Sequence, residues 1–116
     1  MKSVREDQFN KRIIAYADKL VNTGLSARVI DSISEIAKKN DIDKVVLFGS
    51  RARGDFYRAS DIDLAAHGGN INRFRIDLEE DVPTLLTFDV VDLDGNPSRS
   101  ILDTIDKEGR VLYEAI

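Results

Sequence analysis

The sequence predicts a small α/β or α+β domain in which helices flank one small mixed sheet. Three observations carry that expectation. Two early stretches repeat apolar residues at helical spacing, Val45 to Phe48 form a continuous apolar run, and aspartates alternate with apolar residues from Asp61 to Leu64. Strand-like and helix-like patterns then follow one another to the end of the chain, the order expected when helices cover strands.

Phe9, Ile13, Ile14, Ala17, Leu20 and Val21 predict an amphipathic helix over residues 6–22, closed by Gly24. Leu25, Val29, Ile30, Ile33, Ile36 and Ala37 predict a second helix that stops at Asn40. Val45–Phe48 is rich in β-formers and ends abruptly at Gly49, the pattern of a buried strand and a turn. Gly49 to Ser60 is polar, basic and punctuated by glycine, so it reads as a loop or the start of a short helix. Ile62 and Leu64 alternate with Asp61 and Asp63 at the period of a strand. His67 to Asn70 predict a turn, Phe74 and Leu78 a modest helix stopped near Pro83, and Leu85 to Leu93 another strand. Gly95, Asn96 and Pro97 turn the chain into a last helix, opened by Ser98 and ended by Gly109. Val111, Leu112 and Tyr113 suggest a final short strand.

The length of 116 residues fits one domain, 1–116, with an extra N-terminal helix in 1–24 and a core in 25–116. With 42% hydrophobic and 33% charged residues the balance is globular and argues against disorder. Cysteine is absent, which excludes disulfides and thiolate chemistry and suits a cytoplasmic location. No apolar run approaches the roughly 20 residues of a membrane helix, and the polar N-terminus predicts no secretory signal. The net charge of −4 has the wrong sign for a generic nucleic-acid binder. The aspartates, however, bunch around the later strands, where carboxylates can attract a divalent cation and the cation a phosphate.

Side chains at i and i+2 of a strand share a face, so Asp61 and Asp63 present paired carboxylates while Ile62 and Leu64 face the core. Such a pair repels unless a cation sits between its members. Magnesium prefers hard oxygen ligands and is commonly held by one or two carboxylates plus phosphates. Asp89, on a later strand, would complete a site for two ions about 3.5–4 Å apart, the arrangement that supports in-line displacement. Gly49 allows close backbone approach to a phosphate, and Ser50 offers a hydroxyl. Arg51, Arg53 and Arg58 follow, and a guanidinium fork suits phosphate.

Each part has an ordinary structural explanation. Asp-x-Asp pairs often sit on solvated strand edges, and Gly-Ser after a strand is commonly a plain turn. GSRARGD lacks the Gly-Lys-Ser/Thr ending of a P-loop. His67 has no companion ligand, Asp92 falls on the opposite strand face from Asp89, and Glu79–Asp81 reads as a solvated helix end. The weight lies in the order: buried strand, Gly-Ser, arginines, Asp-x-Asp strand, then a strand bearing Asp89.

In that order LFGSRARGDFYRASDIDLA resembles the signature of the DNA polymerase beta-like nucleotidyltransferase superfamily. The small size, the FDVVDL strand and the IDKEGRVLYE ending resemble its minimal nucleotidyltransferase (MNT) branch, over about residues 25–115. The resemblance implies a nucleotidyltransferase-type fold in which Gly49 and Ser50 hold the triphosphate and Asp61, Asp63 and Asp89 ligate two Mg2+ ions. It also implies a phosphate contact for Arg53 and a part for Asp89 in deprotonating the acceptor hydroxyl. ATP is the implied donor. MNT proteins are commonly paired with a helical HEPN-type toxin and are similar to antitoxins that attach AMP to a toxin tyrosine, so the implied partner is a HEPN-type or other helical protein. The N-terminal helix offers a surface for that partner or for a homo-oligomer. Two other functions compete. The chain could neutralise a partner by masking it without catalysis. It could also modify a small molecule, although 116 residues leave little protein for an acceptor pocket.

Overall fold

The computed structural model describes residues 22–115. The helix expected over residues 6–22 lies outside the described residues apart from Asn22, which sits in a turn. Helix α1 spans Ala27–Lys39. It starts where the Ser26 hydroxyl accepts the Val29 N–H at 3.2 Å, and it ends at Asn40 as its C-cap. Its apolar stripe buries Val29, Ile30, Ile33, Ile36 and Ala37. Strand β1 (Lys44–Phe48) leads into a one-turn helix α2 (Ser50–Arg53), and β2 (Ile62–His67) follows. Helix α3 (Ile71–Asp81) crosses to β3 (Phe88–Asp92). A 3-10 turn at Leu93–Gly95 precedes α4 (Arg99–Glu108), capped at Ser98, and β4 (Arg110–Glu114) completes the described chain.

The strands form a mixed sheet in the order β3-β2-β1-β4. β1 is antiparallel to β2 and β4, whereas β2 and β3 run parallel, as a helical crossover between neighbouring strands requires. The pleat sorts residues onto two faces. Val45, Leu47, Ile62, Leu64 and Leu112 join α1 and α3 in the main core, with Phe74 and Leu78 fully buried among them. The register places Val46, Phe48, Asp63, Ala65 and Asp89 on the other face, which α4 covers only in part. The carboxylates of interest therefore sit on the sparsely covered side of a well-packed sheet.

Two expectations change. The strand predicted over Leu85–Leu93 begins only at Phe88. Pro83 lacks a donor, and the Thr84 N–H and Leu86 N–H bond locally to the Val82 carbonyl and the Thr84 hydroxyl, so the chain turns and leaves Leu85 fully exposed. His67, expected in a loop, is the last residue of β2 and bonds Asp94 through Nδ1. The outer edge of β3 is engaged by α3. Glu79 accepts the Phe88 N–H at 3.3 Å and Arg75 donates to the Val90 carbonyl at 3.0 Å, which blunts that edge against further strand pairing. Among the described residues no helix is long and apolar enough to cross a membrane.

A buried carboxylate ties α1 to α3. Asp77 accepts from Asn40 Nδ2 at 3.0 Å and pairs with Lys39 at 3.2 Å and Arg73 at 3.1 Å. The Asn40 hydrogen bond, aided by Lys39 and Arg73, holds its carboxyl below the usual carboxylate range against the opposing effect of burial. A depressed folded-state pKa stabilises the fold above the unfolded value and loses that contribution as pH falls through the folded one. Asp77→Asn is therefore expected to lower the melting temperature by several degrees at neutral pH. The gap to the unsubstituted protein should narrow as melts are repeated from about pH 7 towards about pH 3.

Candidate active site

The site is built where β1 ends. Gly49 adopts φ 76° and ψ −158°, a conformation essentially reserved for glycine, and a Cβ at this position would strike the Asp63 carboxylate. The glycine thus lets the turn lie directly against β2. The Gly49 carbonyl accepts the N–H groups of Ala52 and Arg53, each at 3.1 Å, which winds Ser50–Arg53 into one helical turn closed by left-handed Gly54. Ser50 is half-buried at the head of that turn.

Parallel pairing of β2 with β3 puts Asp63 opposite Asp89 on the same face. Asp61 precedes β2 by one residue and is exposed, as is Asp89, whereas Asp63 is half-buried. Burial first, then the charges of Asp89 and Asp61, push the Asp63 carboxyl above the usual range, with Arg53 opposing them. The three predicted carboxylates therefore stand within electrostatic reach of one another. Among the described residues, however, no group of three or more acidic or histidine side chains stands close enough together to hold a metal ion. Asp61 Oδ1 accepts the Thr87 hydroxyl. The donor set still fits a hard divalent cation by its chemistry: all ligands are carboxylate oxygens, and the central one carries repulsion that a cation would relieve.

The arginines separate sharply. Arg51 is 2% exposed and points inward. Its Nε donates to the Ser60 carbonyl at 3.1 Å, Nη1 to the Thr23 carbonyl at 2.9 Å and Nη2 to the Arg58 carbonyl at 3.2 Å. Its guanidinium also lies 4.7 Å from the Phe56 ring centroid. Arg51 is thus a strut for the loop that delivers Asp61, its guanidinium committed to loop carbonyls rather than offered to a phosphate. Arg53 is exposed and faces the site, where Asp55 and Glu108 hydrogen-bond it and raise its pKa further.

Two residues of the site were not anticipated. Thr87 engages Asp61 from the loop before β3. Glu108, at the end of α4, accepts the Gly49 N–H at 2.8 Å and pairs with Arg53 at 3.0 Å. A glutamate closing a helix opposes the helix dipole, and that local oddity is the sequence signal that could have marked it.

The polymerase beta nucleotidyltransferase family model matches residues 31–115. No curated protein matches the chain. Among solved structures, a toxin–antitoxin with AMP-PNP is similar at a TM-score of 0.60 and 25% identity, covering 74% of this chain and 73% of that one. A variant of the MntA–HpeT toxin–antitoxin gives a TM-score of 0.59 at 23% identity, covering 74% and 73%. A second variant of that pair gives 0.58 at 24%, covering 73% and 72%, and these two likenesses establish the fold alone.

Proposed function

We propose a nucleotidyl-transfer function from one premise: the chain belongs to the polymerase beta nucleotidyltransferase family. In this reading it is a magnesium-dependent enzyme that moves AMP from ATP to a protein hydroxyl, a tyrosine of a HEPN-type toxin partner, in the cytoplasm. The observation that carries the reading is the direct register of Asp63 with Asp89, beside Asp61 and beneath the Gly49 turn. The similar toxin–antitoxin with AMP-PNP supports an adenine nucleotide as donor and a toxin as partner.

Asp61, Asp63 and Asp89 would hold the magnesium, which neutralises charge on the triphosphate and the leaving group when bound. Gly49 and Ser50 receive the triphosphate, and Arg53 contacts its outer phosphates. The acceptor hydroxyl oxygen bonds the α-phosphorus in line as the bond to the bridging oxygen breaks, and pyrophosphate departs. Asp89, exposed at the open face, takes the hydroxyl proton.

The test combines the purified protein, magnesium and ATP labelled at the α-phosphate in a lysate of its own source, with the Asp61→Asn, Asp63→Asn double variant alongside. A labelled protein band that requires both aspartates supports transfer and identifies the acceptor by mass spectrometry. A second reading, neutralisation by masking without catalysis, draws on Asp61, whose Oδ1 already accepts the Thr87 hydroxyl. It gains if no fraction is labelled while a toxin is neutralised equally by the double variant.

A further inference from the structure

Glu108 has no part in the transfer scheme above, yet its side chain is only 17% exposed. Its position is costly by itself. A carboxylate at a helix C-terminus meets the negative end of the macrodipole, and withdrawing it from water adds a penalty. The compensation comes from two donors that belong to different parts of the site. The Gly49 N–H donates to Oε1 at 2.8 Å, and Arg53 Nη1 donates to Oε1 and Oε2 at 3.0 and 3.1 Å. The approach depends on the next residue. A Cβ at Gly109 would collide with the Ile105 carbonyl and stand 2.7 Å from Val46 Cγ1, so glycine is what allows the end of α4 to seat against β1.

We propose that Glu108 is a positioning residue for the triphosphate: its carboxylate clamps the Gly49 turn to Arg53 and fixes both relative to Asp63. The role rests on the nucleotidyltransferase reading of the site. Its logic is preorganisation. Without the clamp, the guanidinium keeps only its contact to Asp55, at 3.1 Å on an exposed loop, and must be ordered anew each time a nucleotide binds. Gly49 would likewise lose the acceptor that holds its N–H, in a turn already restricted to glycine.

The experiment is calorimetric titration of the full chain with AMP-PNP and, separately, AMP, both with magnesium, accompanied by thermal melts. Glu108→Ala is expected to weaken AMP-PNP binding about tenfold while AMP binding stays unchanged, because the contact proposed for Arg53 is to the outer phosphates that AMP lacks. Glu108→Gln keeps an oxygen acceptor for the Gly49 N–H but loses the charge that holds Arg53. It should fold like the unsubstituted protein and weaken AMP-PNP by about threefold. Parallel loss of AMP and AMP-PNP affinity in both variants would mean a general structural defect and overturn the proposal. Unchanged or tighter AMP-PNP binding would also overturn it, the tighter case marking Glu108 as an internal competitor for the phosphate position. An unsubstituted protein that binds neither nucleotide sinks the nucleotidyltransferase reading itself, and this role with it.

Discussion

Asp63→Asn is expected to lower nucleotide transfer by roughly a thousandfold and to raise the melting temperature of the metal-free protein by a few degrees. Both effects come from one location. Asp63 is half-buried between Asp61 and Asp89, and burial together with their charges makes its ionised form unfavourable in the folded protein. A carboxyl whose folded-state pKa is raised binds its proton more tightly in the native state. Its ionisation therefore costs stability above the folded pKa, and that cost disappears as pH falls towards the unfolded value. Asparagine removes the ionisation, so the stabilisation is greatest near neutrality and fades on acidification. The same charge is what a divalent cation needs. Magnesium should raise the melting temperature of the unsubstituted protein, since a ligand that binds only the native state stabilises it, and should do little for the variant. Melts with and without magnesium at about pH 5 and about pH 8, beside the label-transfer assay, test all three statements. Undiminished transfer by Asp63→Asn would remove the carboxylates from the mechanism.

How far the sequence reached follows from the range of the interactions concerned. Local signals were readable. Asn40, Ser98 and Gly109 bound their helices because capping and helix termination are decided within a few residues. The Val45–Phe48 run and the Asp61–Leu64 alternation report burial directly, so β1 and the start of β2 were visible. Leu85 and Leu86 imitate a strand by composition, but bonds at Thr84 and Leu86 and the preceding proline turn the chain first. The Asp63–Asp89 register depends on a parallel pairing across α3, which two separate strand patterns do not encode. Glu108 lies 59 residues from Gly49 in sequence, and no periodicity connects them. Arg51 and Arg53 are alike on paper. Only packing against Phe56 and three loop carbonyls turns one inward and leaves the other facing the carboxylates.

That division between the two arginines has a large consequence. Arg51→Ala is expected to lower stability by about 3 kcal/mol, a fall in melting temperature on the order of 10 °C for a domain of this size. The estimate sits well below the sum of three charge-assisted hydrogen bonds because such contributions are not additive. Deleting the guanidinium leaves the carbonyls of Thr23, Arg58 and Ser60 without these donors and opens space beside Phe56. Arg51→Lys does not restore them, since a compact ammonium cannot reach three divergent acceptors or stack as a planar fork does. Transfer should fall in both variants although Arg51 touches no nucleotide, because the loop through Ser60 sets the position of Asp61. Arg53→Ala should shift the balance, with a smaller fall in melting temperature than Arg51→Ala and weakened AMP-PNP binding, since Arg53 is itself exposed although it partners the largely buried Glu108. Melting curves and nucleotide titrations on the three variants separate strut from ligand. If Arg51→Ala melted normally but lost nucleotide, the inward arginine would have to turn out to the phosphates during binding, and the loop it braces would be a moving part of the protein.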